Sequence, residues 1–219
     1  METSRCVLIS RQYRRYNQEV TTSLDRSTAK RRRLPRAARR EQILSAATHA
    51  FAAAGFANTS LDDIAEAAGV GRVILYRHFE SKADLYRSVL HRAATRLGDT
   101  VGTDDFGHDA VPALVAAAAA DPDGFRLLFR YAAREPEFRD VTDTLAAASV
   151  EVTRRNLVRA GVEPAMLDWL SRLLPVITIE AVLAWLDAGQ PQPDDAVARV
   201  NRIVHAAMTD TDQPSPGSR

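Results

Sequence analysis

Between residues 60 and 79 two short apolar segments flank Gly69-Val70-Gly71, and each carries its own boundary signals. Ser60 precedes Leu61, Ile64, Ala65 and Ala68, with Asp63 three positions on, a short-armed capping box that opens a helix. Gly69 closes that helix, and the residues from Arg72 to Phe79 make a second one of about two turns. Two helices this short, joined by a glycine-containing turn, form a helix-turn-helix. That unit constrains the chain more than any other feature, because it needs a third helix to close its core.

The flanks supply it. Ile43, Ala47, Ala50, Phe51 and Ala54 recur at helical spacing before Gly55, which predicts a helix over about 37–54. Ser81 with Asp84 three residues later caps a longer helix that reaches Leu97 before Gly98. Leu61, Ile64, Leu75 and Phe79 then form one small core with Phe51. Arg72, Val73, Ile74, Tyr76, Arg77 and His78 are left in or beside the opposite face. A helix of this size fits the major groove, where arginine pairs with guanine edges and apolar groups meet the thymine methyl.

Charge divides the chain in the same sense. Its 219 residues carry a formal net charge of only +1, yet residues 1–35 hold +6, residues 36–97 hold +3 and residues 98–219 hold −8. A basic front and an acidic back suggest that only the front meets a polyanion. Residues 1–35, with the run Lys30-Arg31-Arg32-Arg33, read as a flexible basic arm or as an overlong start. Residues 36–97 are the expected DNA-binding domain, residues 98–208 a second helical domain, and residues 209–219 a flexible tail rich in Pro, Ser and Gly.

The second domain is predicted to be helical throughout. Asp104, Asp105, Gly107, His108 and Asp109 mark a linker, and four polar residues around a glycine read as a solvated loop rather than a metal cluster. Asp121-Pro122 starts a helix that Pro136 ends. Further helices are expected over 137–160, over 164–188 with a kink at Pro175, and over 194–208.

From Gly55 to Tyr86 the sequence resembles the DNA-binding domain of the TetR family of bacterial regulators. Gly55-Phe56, Thr59-Ser60, Ile64-Ala65, Ala68-Gly69-Val70, Leu75-Tyr76, His78-Phe79 and Ser81-Lys82 all fall at the family's spacing, within a match over about residues 37–88. Gly71, where serine is common, and Val73-Ile74, where smaller or hydroxylated residues are usual, depart from it. The resemblance implies an all-α homodimer that binds a palindromic double-stranded DNA operator, usually as a repressor, and responds to an unknown small-molecule effector.

Phosphate contacts are implied at Thr59, Ser60, Tyr76, His78 and Lys82, with Arg39 and Arg40 near the same surface. The plain alternatives are that Ser60 only caps its helix and that Tyr76 leans into the core. Phe125, Phe129, Tyr131, Met166 and Trp169 are candidates for an effector cavity, against the alternative that they are ordinary core. The segment 164–188 is apolar on almost every face, so a partner subunit is expected there and along 194–208, with Val182, Trp185, Val200 and Val204 at the interface.

Other classes find little support. There is no Gly-x-Ser-x-Gly elbow, no glycine-rich phosphate loop and no His pair at i, i+4, since His49, His78, His91, His108 and His205 are scattered. No catalysis, metal or cofactor is expected. Cys6 alone excludes a disulfide scaffold and points to a reducing compartment. No apolar run approaches the roughly 18 residues that cross a bilayer, so the expectation is a cytoplasmic protein without a membrane partner. A helical dimeric interaction scaffold, or a regulator without a small ligand, remains the alternative.

Overall fold

Ile43, Leu44, Ala47 and Phe51 line one side of the first helix and are buried, which is the stripe that the helical spacing requires. In the computed structural model, which describes residues 34–102 and 110–209, that helix is α1 (Arg36–Asn58). The basic arm up to residue 33, the linker at 103–109 and the tail from 210 lie outside the described residues. The chain divides into two units, residues 1–39 and residues 40–219; of the first, only residues 34–39 are described.

Gly55 breaks the regular geometry of α1 with φ 78° and ψ 168°, a conformation open to glycine and costly for other residues. The predicted stop is therefore a kink, and the helix resumes for one short turn. After it come α2 (Leu61–Ala67) and α3 (Arg72–Tyr76), with Gly69 at φ 61° in the turn between them. α4 (Lys82–Val101) passes straight through Gly98 and ends at Gly102. The boundary expected at residue 97 therefore falls inside a continuous helix.

Beyond the linker the described helices are α5 (Ala110–Ala120), α6 (Pro122–Arg126), α7 (Arg139–Arg159), α8 (Pro164–Asp187) and α9 (Pro193–Thr209). No individual helix was foreseen at α5, whose alanine run lacks an amphipathic period. The helix expected to run from Asp121 is shorter than foreseen. Asp121 caps it by accepting from the Gly124 N–H at 3.0 Å. The chain then passes through a π-helical turn, Leu127–Tyr131, and two 3-10 turns, Ala132–Arg134 and Pro136–Phe138. No strand occurs among the described residues, and the fold is all-α.

One buried cluster runs through most of these elements. Phe51, Ile64, Leu75 and Phe79 are at most 1% exposed, and they are continuous with Tyr86 and Leu90 of α4, Leu128 and Phe138 of the connecting turns, and Val182, Leu183 and Leu186 of α8. A smaller cluster of Leu157, Leu167, Leu170 and Leu174 joins α7 to α8 farther along. α8 stays one helix through Pro175. By length and mean composition α8 would suffice to cross a bilayer, although Asp168, Arg172 and Glu180 interrupt its apolar residues. Its apolar residues are instead partly consumed by packing, for six of its leucines and valines are buried in the bundle.

Candidate nucleic-acid interface and effector cleft

Local hydrogen bonds set the turn that presents α3. Ser60 Oγ accepts from the Asp63 N–H and Asp63 Oδ2 accepts from the Ser60 N–H, both at 3.1 Å, so the capping box is complete. The Ser60 hydroxyl bond, with the backbone bond behind it, holds the Asp63 carboxyl below its usual range. Ser60 is thus a cap that remains exposed.

α3 turns Leu75 inward and leaves Arg72, Val73, Tyr76 and Arg77 exposed. Val73 is 67% exposed, an apolar side chain with no core to join. Ile74 and His78 are half-buried at the edges of that face, with the His78 ring 6.3 Å from Phe79. Arg72 Nη1 lies 3.1 Å from Asp62 Oδ2, and its guanidinium stands 5.7 Å from the Tyr76 ring centre. Hydrogen bonding to Tyr76, and then the charge of Asp62, raise its already high pKa, so its side chain is a fixed cation.

Two residues expected at phosphates are engaged within the chain. Thr59 is buried, and its hydroxyl donates to the Gly55 carbonyl at 2.7 Å and lies 3.3 Å from that of Ala50, closing the bend after α1. The Lys82 ammonium donates to the carbonyls of Phe56 at 2.9 Å and Ala57 at 3.3 Å, and lies 4.6 Å from the Phe56 ring centre. Carbonyls at a helix end lack intrahelical donors, and a lysine is well suited to supply one. Arg40 packs along Phe79, 5.0 Å from the ring centre, and donates to Ser88 Oγ at 3.1 Å. Arg39 is half-buried in the first turn of α1 and belongs to the first unit.

A cleft of about 320 Å³ opens between α4, α5 and α6. Ala93, Leu97, Ala117, Phe125 and Leu128 give it apolar walls, and Arg96, Asp99 and Asp121 stand at it as well. Of the five expected cavity residues only Phe125 lines it. The Phe129 ring is tilted against that of Phe125, with centres 4.6 Å apart, and Tyr131 is half-buried in the π-helical turn. Met166 packs against the smaller cluster and Trp169 is 57% exposed, so the structure does not bring the five together. The missed residues Ala93, Arg96, Leu97 and Thr100 share one face of α4 at helical spacing, a signal that the sequence carried.

Arg96 also links the cleft to α1. Its Nη2 lies 2.7 Å from Glu41 Oε1 and its Nη1 3.4 Å from Asp121 Oδ2, while Arg92 Nε is 3.2 Å from the same Glu41 oxygen. Burial lowers the Arg92 pKa, with Glu41 opposing the shift.

The residues expected at a subunit interface are mostly consumed within the chain. Val182 is fully buried and Val200 is 5% exposed, both within the chain's own core or against it. Trp185 is half-buried, with its Nε1 donating to the Pro191 carbonyl at 3.0 Å, and Val204 packs on the smaller cluster. The large apolar side chains that α8 and α9 leave exposed are Trp169, Val176 at 58% and Ile203 at 48%. Trp169 and Val176 are seven residues apart and share one face of α8.

Known proteins share both the sequence of this unit and the fold around it. The sequence profile of the bacterial regulatory proteins of the tetR family matches residues 43–89, which span most of α1 through the first turns of α4. Over 181 residues the chain is 32% identical to the HTH-type transcriptional activator FasR of Mycolicibacterium smegmatis, covering 75% of this chain and 80% of that protein. The fold is similar to that of a TetR-like transcriptional regulator from Rhodococcus sp. RHA1, with a TM-score of 0.71 at 22% identity over 81% of this chain and all of that one. It is also similar to the transcriptional regulator FadR of Bacillus subtilis, solved in complex with stearoyl-CoA, with a TM-score of 0.60 at 17% identity over 77% of this chain and 97% of that one.

Proposed function

The chain belongs to the TetR family of bacterial regulatory proteins, and from that premise we propose that it binds a palindromic operator as a homodimer and leaves it when a small-molecule effector binds. It is a DNA-binding transcriptional regulator, like its relatives, and not an enzyme. The observation that carries the finer reading is the outward face of α3, where Arg72, Val73, Tyr76 and Arg77 project together. Arginine offers bidentate pairing to guanine, and the exposed valine fits the thymine methyl. Arg40, Ser60, Tyr76 and His78 remain candidates for the phosphate backbone, and work on DNA supports a cytoplasmic protein.

Dimerisation rests on Trp169 and Val176, which share one exposed face of α8, and on the exposed Ile203 of α9, since exposed apolar groups of that size favour association. The effector reading rests on the cleft, whose volume is at the small end for ligand sites and whose walls suit an amphipathic molecule. A ligand there touches Arg96 and so competes with the pairings that tie α4 to α1. Movement of α4 changes the separation of two α3 helices, and both half-sites can no longer be met together.

Repression by operator occupancy is the first reading. Activation is the second, favoured by the activator named FasR. A mobility-shift titration against DNA from the protein's own upstream region tests the proposal, with a competitor lacking one half-site. Tight binding that needs both half-sites is the expected result. Equal binding to scrambled DNA would leave the scaffold reading in its place, and a reporter gene behind the same DNA decides the sign.

A further inference from the structure

Residues 137–140, where the last 3-10 turn runs directly into α7, are fastened to the DNA-binding helices. Phe138 is fully buried, with ring centres 5.1 Å from Phe56 and 4.6 Å from Tyr86, both steeply tilted. Phe56 follows the break at Gly55, and Tyr86, near the start of α4, also meets Phe51 at 4.8 Å. Within this group of rings, Phe138 is the one contributed by the C-terminal half. Arg87 of α4 clamps it from outside. Its Nη1 donates to Asp140 Oδ2 at 2.6 Å, its Nη2 to the Glu137 carbonyl at 3.0 Å, and its guanidinium lies 5.4 Å from the Phe138 ring centre.

The other end of the same connection is fastened to α8. Arg126 Nε and Arg130 Nη1 lie 3.1 and 2.5 Å from the two oxygens of Asp187. Arg130 itself belongs to the π-helical turn Leu127–Tyr131, so the turn is held directly to α8 and the chain runs on from it to Phe138. Such a turn holds one residue more than an α-helical turn, and its conversion would displace the chain beyond Tyr131 by about 1.5 Å and 100°. Phe138, enclosed by Phe56, Tyr86 and Arg87, cannot take up that displacement without leaving its seat.

The seat also contains a standing penalty. The Tyr86 hydroxyl is buried and has no hydrogen-bond partner among the described residues. Burial, with the nearby Glu135 charge, pushes its pKa up to about 12. Ring packing and the Arg87 clamp therefore favour the docked arrangement, and an unsatisfied hydroxyl opposes it.

We infer that Phe138 is a positioning residue for the DNA-binding helices, docking on Phe56 and Tyr86 to set their placement and transmitting changes at α8 through the π-helical turn. The inference rests on the proposed function in one respect, that two half-sites are bound together, for only then does placement matter beyond the contacts of each α3.

The test uses the full chain with Phe138→Ala, Phe138→Leu and Tyr86→Phe. Affinity is measured by fluorescence anisotropy on the upstream operator duplex and on a duplex with one half-site, alongside amide hydrogen exchange. Phe138→Ala should weaken two-half-site binding on the order of tenfold, hold single-half-site binding within about twofold, and speed exchange at 135–140. Tyr86→Phe, which removes the orphaned hydroxyl, should slow exchange there and bind the two-half-site duplex at least as tightly. Unchanged binding and exchange in both variants overturns the inference. So does an equal loss on both duplexes, which would mark Phe138 as merely structural. Should Phe138→Ala fail to fold, Phe138→Leu and Tyr86→Phe must still shift exchange at 135–140 in opposite directions, or the inference fails. A wild-type chain that binds the two duplexes alike would sink the dimeric reading instead, and exchange at 56–60 and 82–90 in the variants would then decide the positioning role.

Discussion

Replacing Lys82 by alanine separates two tasks that the same residue could perform. In the structure its ammonium caps α1, donating to Phe56 and Ala57 carbonyls at 2.9 and 3.3 Å and resting 4.6 Å from the Phe56 ring centre. A hydrogen bond from a charged donor contributes about 1.5–3 kcal/mol, and a cation over an exposed ring about 0.5–1 kcal/mol. The longer bond is weak, Lys82 is only half-buried, and water can replace the ammonium at both carbonyls. The net loss should therefore be about 2 kcal/mol, toward the lower end of that range. At about 2–4 °C per kcal/mol for a chain of this size, the unfolding midpoint should fall by about 4–8 °C. Thermal unfolding followed by circular dichroism measures it. A phosphate contact predicts something else, a dependence of log K on log salt shallower by about 0.9. Lys82→Ala should lower the midpoint and leave that slope alone when binding is measured well below it. An unchanged midpoint with a shallower slope would refute the capping role and return Lys82 to the DNA backbone.

Other substitutions address the remaining parts. Arg72→Ala or Arg77→Ala should weaken the cognate operator by about 5- to 150-fold if the side chain pairs with guanine, with scrambled DNA little affected; equal losses on both in binding titrations would make these residues backbone contacts. Val200→Arg should unfold the C-terminal helices by forcing a charge into a buried site, whereas Val176→Arg or Ile203→Arg should leave a folded monomer, a distinction that sedimentation and circular dichroism make together. Asp187 is held below the ordinary carboxylate range by its hydrogen bond to Arg130, with Arg126 assisting. Its unfolded form therefore takes up a proton first, so its stabilisation is complete above the unfolded value of about 4 and lost as pH falls through the folded one. The gap in unfolding midpoint between wild type and Asp187→Asn should accordingly persist at neutral pH and close in acid, and a gap independent of pH would remove the charge from the explanation.

What the sequence disclosed was local. Ser60 with Asp63 and Ser81 with Asp84 are caps written within four residues, and both formed. Gly55 and Gly69 marked bends that few other residues adopt. The helix-turn-helix and its outward face at Arg72, Val73, Tyr76 and Arg77 were legible for that reason. The fate of Thr59 was not, because one of the carbonyls beside its hydroxyl belongs to Ala50, nine residues away. Lys82 meets Phe56 and Ala57 across a still longer separation. On α8, apolar residues on every side announced coverage without saying by what, and tertiary packing chose Val182 for the interior and Trp169 and Val176 for the surface. The π-helical turn had no signal, since the contacts that hold it and the chain after it, Arg130 to Asp187 and Phe138 to Tyr86, join residues far apart in sequence.

The unbroken buried cluster also bears on how such a regulator can be rebuilt. A transplant of residues 36–97 onto another regulator's C-terminal helices would cut α4 four residues before its end and carry Tyr86 and Phe56 without Phe138. The recipient would have to supply an aromatic ring and a partner for Arg87 at the same place. If the outward side chains of α3 read the operator as proposed, DNA specificity is therefore better exchanged by replacing them in place than by swapping domains.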